Sequence, residues 1–220
     1  AFCVLKKNGQ LRLVINARRS DGHFVDPPAV DLATGSALSD IAVEDDSEWF
    51  VASLDIANAF YTLSLPEELR SYFCLPGVSA REVGISQING VSIPPGQIIY
   101  PRMAVVPMGW THALAICKEI HQFIVDKAGL NPALRIVDGA PVPPLRKQDV
   151  EPLHVEYVDN FAAIGCHEAS VSTALNNVLD LMSSLGLPTH EICHASPEAQ
   201  LLGWELNGRK SSIRPTKKRA

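Results

Sequence analysis

Along WFVASLDIANAF, residues 49–60, Phe50, Ala52, Leu54 and Ile56 alternate with Val51, Ser53 and Asp55. That is the period of a strand with one face in the core, and it puts Asp55 on the other face near the strand's end. LRLVIN (Leu11–Asn16) predicts an earlier strand, and the turn signal KNGQ before it makes the opening a hairpin. Residues 20–48 mix Gly, Pro, Asp and Ser and predict a loop with one short helix. LPEELRSYFCLPG predicts a short helix opened by Pro66, then a strand, and residues 81–100 predict a hairpin around ING and PPG. Trp110, Ala113, Leu114, Cys117, Ile120, Ile124 and Ala128 recur at helical spacing and predict a helix over 109–128. Val171, Ala174, Leu175, Val178, Met182 and Leu185 predict another over 170–185, ended by Gly186 and Pro188. Between them, 131–152 is a Pro-rich connector, and LHVEYVD and NFAAIGC predict two strands bending at Asp159–Asn160. AQLLGWELNGRKSSIRP predicts a closing hairpin that turns at NGR.

This order predicts an α+β fold in which the two helices cover one face of an antiparallel sheet. The other face would carry Asp55 and Asp159 towards solvent. A chain of 220 residues that is 46% apolar can bury a real core. No apolar run approaches the length that spans a bilayer, and the start is not signal-like, so no membrane partner is expected. Ala1 is followed directly by strand-like residues, which reads as an excerpt of a longer chain. Five scattered cysteines without a CxxC pair predict reduced thiols and an intracellular protein. A zinc site at HEICH (His190, Cys193, His194) would need Cys166 or His167 as a fourth ligand, without the paired spacing such sites show.

A net charge of −5 argues mildly against nucleic acid as a partner. Its distribution argues the other way. Lys6, Lys7, Arg12, Arg18 and Arg19 cluster near the start, and Lys217, Lys218 and Arg219 close the chain. Basic ends around a neutral-to-acidic middle suit a groove with phosphates at its rims, and equally suit a solvated face and a basic terminus.

Two carboxylates at strand ends on one sheet face suit divalent ions. Mg²⁺ takes hard oxygen ligands, commonly one or two carboxylates plus substrate phosphates. Two such ions about 4 Å apart can activate a hydroxyl and stabilise a leaving pyrophosphate. Asp and Asn also favour tight turns, so YVDN alone leaves a plain bend open. Gly-rich phosphate loops, GxSxG and HExxH are all absent, which leaves the P-loop and common hydrolase classes without support.

Five segments, in order, resemble the reverse transcriptases of retrotransposon-like elements. LRLVINARRSD resembles the fingers strand, with Asn16, Arg18 and Asp21 at its polar positions. SLDIANAFYTLSLPEELRSYFCL resembles the motif with an Asp followed five residues later by an aromatic. YPRMAVVPMGWTHALAICKEI resembles the LPxG turn and its helix, YVDN the YxDD hairpin, and LLGWEL the primer-grip strand.

The resemblance implies a right-hand polymerase palm, an antiparallel sheet with two packing helices, plus part of the fingers and no thumb. Residues 1–48 would be partial fingers, 49–75 palm with the first metal motif, and 76–108 a fingers/palm hairpin. Palm would resume over 109–206, and 207–220 would begin the connection to the thumb. The implied function is template-directed nucleotidyl transfer, RNA-directed DNA synthesis, with two Mg²⁺ ions (Mn²⁺ as substitute). Its partners would be an RNA or DNA template with primer and deoxynucleoside triphosphates.

Asp55, Asp159 and Asn160 would be catalytic, and Asp55, the Ile56 carbonyl and Asp159 would hold metal. Arg12, Ile56, Phe60, Met108 and Gly109 would meet the nucleotide. Phe60 would crowd a 2′-hydroxyl, though it also reads as an ordinary core aromatic. Tyr157, Leu202 and Gly203 would contact the primer, and Lys6 or Lys7 would assist at the triphosphate.

Two positions depart from the pattern. Asn160 stands where most of the family has a second Asp, losing a charge but keeping an oxygen that can ligate. Ile192 stands in place of the lysine usual after the second helix, with His190 nearby as a possible proton donor to pyrophosphate. The alternatives are a decayed, polymerase-like nucleic-acid-binding remnant and a palm-fold RNA-dependent RNA polymerase.

Overall fold

A computed structural model describes residues 2–5, 9–44 and 47–217. Lys6, Lys7, Lys218 and Arg219 of the basic clusters lie outside the described residues. The chain opens with a hairpin, β1 (Phe2–Leu5) and β2 (Leu11–Val14), then α1 (Arg18–Asp21) and α2 (Gly35–Ser39). β3 (Phe50–Ile56) leads into α3 (Ala59–Thr62) and α4 (Glu67–Arg70). Nested short hairpins follow, with β4 (Val78–Ser79) and β7 (Ile98–Ile99) enclosing β5 (Gln87–Ile88) and β6 (Val91–Ser92). After α5 (Ala113–Lys127) come β8 (Leu153–Tyr157), β9 (Asn160–Gly165) and α6 (Glu168–Ser184). β10 (Thr189–Ser196), β11 (Glu198–Leu201), β12 (Trp204–Asn207) and β13 (Ser212–Pro215) complete the chain.

Two compact units result. One comprises residues 1–28 and 60–113, the other 29–59 and 114–220. Residues 29–48 fall with the second unit and 60–75 with the first. In the first unit, Phe24, Tyr72, Phe73, Trp110 and His112 form a cluster of tilted and stacked rings. The segment after α4 is a 3-10 turn, Ser71–Phe73, and not the expected strand. Its Phe73 is buried in that aromatic cluster, edge-on to Trp110.

The second unit is built on an antiparallel sheet of order β10-β3-β9-β8. α6 packs on β10, β3 and β9 through Val171, Leu175, Val178 and Met182, all buried. Gly186, at φ +71°, ends that helix, and its N–H bonds the Ser183 carbonyl. The opposite sheet face is not open as expected. Val51, Leu153, Val155, Ala162 and Ile164 pack there with Trp49, Leu38, Ile136, Leu145, Leu201 and Leu206. Burial from both sides explains why NFAAIG reads as an unbroken apolar run rather than an alternation.

Three further elements differ from expectation. The carboxy-terminal hairpin is a three-stranded meander, β11-β12-β13, with turns at Leu202–Gly203 and after Asn207. The bend in YVDN falls at Val158–Asp159, one residue early, because Asn160 is already paired with Tyr157 and Asp55. Residues 189–196, for which the sequence predicts no element, form the edge strand β10, twice bulged against β3. All five cysteines are unpaired, and no helix among the described residues is long and apolar enough to cross a membrane.

Candidate active site

Asp55 is the penultimate residue of β3, and the sheet register sets Asn160 on one side of it and His190 on the other. Directly opposed residues share a face, so these three side chains emerge together at one end of the sheet. The Ile56 N–H donates to the Asp159 carbonyl at 2.8 Å, locking the β8–β9 turn beside Asp55. Asn160 Nδ2 donates to Asp159 Oδ1 at 3.0 Å.

The turn itself is strained. Val158 has φ +58°, a conformation a β-branched residue rarely adopts. Its carbonyl accepts from His121 Nδ1 at 3.0 Å, and Cys117 Sγ lies 3.5 Å away, so α5 pins the turn from below. Burial holds His121 below the usual imidazole range, so the ring is neutral and its Nδ1–H is the donor. Burial and the Asp159 charge push the Cys117 thiol up to about 11, which leaves it an inert packing group.

Asp55 is the electrostatic centre. Burial, then the charge of Asp159, raise its pKa to about 6; His190 opposes the shift and Glu191 adds to it. Its Oδ1 is fully buried without a hydrogen-bond partner. A buried carboxylate oxygen facing other carboxylates is stabilised by a hard cation, so the surroundings of Asp55 fit a divalent ion. A raised acid pKa stabilises the fold below the unfolded value of 3.8, and this contribution is lost as pH rises through about 6. Asp55→Asn is therefore expected to raise Tm at pH 8 in the absence of divalent ions and to leave it unchanged near pH 4, as differential scanning fluorimetry can measure.

The remaining expected residues divide between the units. Tyr157 and Leu202 both pack half-buried against the core of the second unit, and Gly203 completes the β11–β12 turn. Arg12 is exposed on β2, Phe60 lies half-buried in α3, and Met108–Gly109 form a turn, all in the first unit. The Met108 carbonyl accepts from the Ile15 N–H at 3.0 Å. Gly109 has φ +111°, and a Cβ there would meet the Ile15 carbonyl oxygen at 2.1 Å. Gly109→Ala is expected to cost about 1–3 kcal/mol, read as a lowered urea midpoint.

Sequence reasoning missed Glu191 and the placement of His190. Asp55, His190 and Glu191 each offer a ligand atom within 4.8 Å of the other two, and Asp159 is not a member of that group. β10 is a mostly exposed, polar edge strand, so no apolar alternation announces it. The usable signal was its lack of Gly and Pro over THEICHAS.

No family model matches the chain, and no curated protein matches it. Among solved structures, its fold is similar to that of the foamy viral protease-reverse transcriptase dRH in complex with double-stranded DNA. The TM-score is 0.64 at 12% identity, over 98% of this chain and 30% of that one. The likeness is one of fold: mixed α and β with antiparallel sheets, as in part of a reverse transcriptase.

Proposed function

We propose that the chain is the fingers and palm of an RNA-directed DNA polymerase that extends a primer by nucleotidyl transfer. The observation that carries this reading is that Asp159, 104 residues from Asp55 in sequence, sits in the turn bonded to Ile56 and close enough for its charge to act on Asp55, whose buried carboxylate oxygen is left unpartnered. The ordered motifs support it, as does a fold likeness over 98% of the chain. Asp55, Asp159 and the Ile56 carbonyl would hold Mg²⁺, which when bound lowers the pKa of the attacking hydroxyl and offsets charge on the leaving pyrophosphate. The residues' own part is orientation. The turn fixed by His121 and the Ile56–Asp159 hydrogen bond keep the carboxylates in place before substrate arrives. Tyr157 and the Leu202–Gly203 turn would contact the primer end, and Arg12, Phe60, Met108 and Gly109 the incoming nucleotide.

One observation favours the second reading, a decayed remnant. The Asn160 amide occupies an oxygen of Asp159 that a metal would use. Primer extension on an RNA template, by the longest natural polypeptide that carries this chain, separates the readings. Incorporation of deoxynucleotides supports the proposal, ribonucleotide incorporation the RNA-polymerase alternative, and none with any divalent ion the remnant.

A further inference from the structure

The sheet end around Asp55 holds more ligands than the expected carboxylate pair. His190 is the cross-strand partner of Asp55, so its ring lies on the same face. Simple alternation would send Glu191 to the opposite face. It does not, because β10 bulges between His190 and Cys193 and Glu191 takes φ +50°. A bulge re-aims a side chain, and here it brings Glu191 Oε1 to 3.8 Å from His190 Nδ1. The ligand atoms of Asp55, His190 and Glu191 then lie within 4.8 Å of one another. Octahedral coordination at about 2.1 Å sets neighbouring ligands about 3 Å apart and opposite ones about 4.2 Å apart, so small side-chain rotations would let all three grip one ion. The buried Oδ1 of Asp55, without a hydrogen-bond partner, is the independent sign that this cluster suits a cation.

We infer that Glu191, with His190, ligates the cation held by Asp55, supplying the negative charge that Asn160 does not. The inference rests on Asp55 being a metal-holding residue, as the proposed function has it. An acidic ligand on an edge strand replaces one lost from the hairpin, so the carboxylate count around the ion is kept. The imidazole favours Mn²⁺ over Mg²⁺, since nitrogen ligands suit transition metals better than Mg²⁺.

The test is Mn²⁺ binding by the whole chain without nucleic acid, followed by the loss of the free-ion signal in electron paramagnetic resonance. Glu191→Gln is expected to weaken binding about tenfold, in the range seen when groups that support a metal site are removed. Glu119→Gln, exposed on α5, should leave it unchanged. Adding Asn160→Asp to Glu191→Gln should restore it. Glu191 is exposed, so the substitution leaves the core intact, and unchanged Tm in EDTA verifies this. Equal Mn²⁺ affinity in the parent and Glu191→Gln, or an equal loss in Glu119→Gln, would overturn the inference. If primer extension needs Asp55 but is indifferent to Glu191→Gln in both rate and Mn²⁺ affinity, this inference fails and the polymerase reading stands. If Mn²⁺ binds through Asp55 and Glu191 but no primer is extended, the polymerase reading fails and this one stands.

Discussion

Asp159→Ala is expected to abolish primer extension, and Asn160→Asp to preserve or raise it. A metal-held carboxylate contributes several kcal/mol to transition-state charge stabilisation, so losing it lowers the rate by on the order of 10³-fold or more. Asn160 contributes differently. It pairs with Asp55 in the register and donates to Asp159 Oδ1. Replacing its amide by a carboxylate removes that donor, frees the Asp159 oxygen and adds a charge. Single-turnover extension assays on an RNA template, at matched Mg²⁺, read both effects. Equal rates for the parent and the two variants would remove the metal-site assignment. Retained folding is checked by circular dichroism, since Asp159 lies in a turn whose backbone contacts do not use its side chain.

The largest expected effect on stability lies beneath the same hairpin. Glu156 is buried on β8, with Oε1 2.6 Å from His154 Nδ1 and Oε2 accepting from Arg135 Nε at 2.7 Å. Arg135 also pairs with Asp126 of α5, and His154 Nε2 faces the Asn131 carbonyl at 2.9 Å. Burial pushes Glu156 up, but the His154 hydrogen bond and charge, with Arg135, outweigh it and hold the carboxyl below its usual range. Removing one member of a buried charge set leaves the others uncompensated, so Glu156→Ala is expected to cost about 3–5 kcal/mol, measured by urea denaturation at pH 7. The pH dependence follows from the depressed pKa. The contribution is present above the ordinary value of 4.5 and is lost as pH falls through the folded value. Parent stability should thus drop on acidification below about 4.5 with a slope that Glu156→Ala lacks.

The elements easiest to read were those whose packing is one-sided and local. The apolar positions of α6, Val171 to Met182, are the ones the structure buries. Leu54 and Ile56 mark the covered face of β3 as their alternation implies. What stayed hidden depends on partners distant in sequence. Val51 is buried because Leu38, Ile136 and Leu145, from Pro- and Gly-rich segments without periodicity, cover the second face of the sheet. Nothing in LHVEYVD marks His154 and Glu156 as core residues, yet both are buried, because Arg135 arrives from an irregular connector to pair with Glu156 and His154 faces the same carboxylate. At the candidate site, Asp55 and Asp159 were legible as strand-end acids. Glu191 was not, since only the β10 bulge turns it towards Asp55.

That bulged strand has a consequence for self-association. The central sheet has two borders, and an unpaired border is a template on which a second chain can grow a strand. On the β8 side, Arg135 bridges His154 and the Ile136 N–H bonds its carbonyl, so the connector occupies part of that border. On the β10 side, two register breaks and a row of His and Glu side chains interrupt any regular rung. Both borders of the sheet are therefore poor templates for fibril-like stacking.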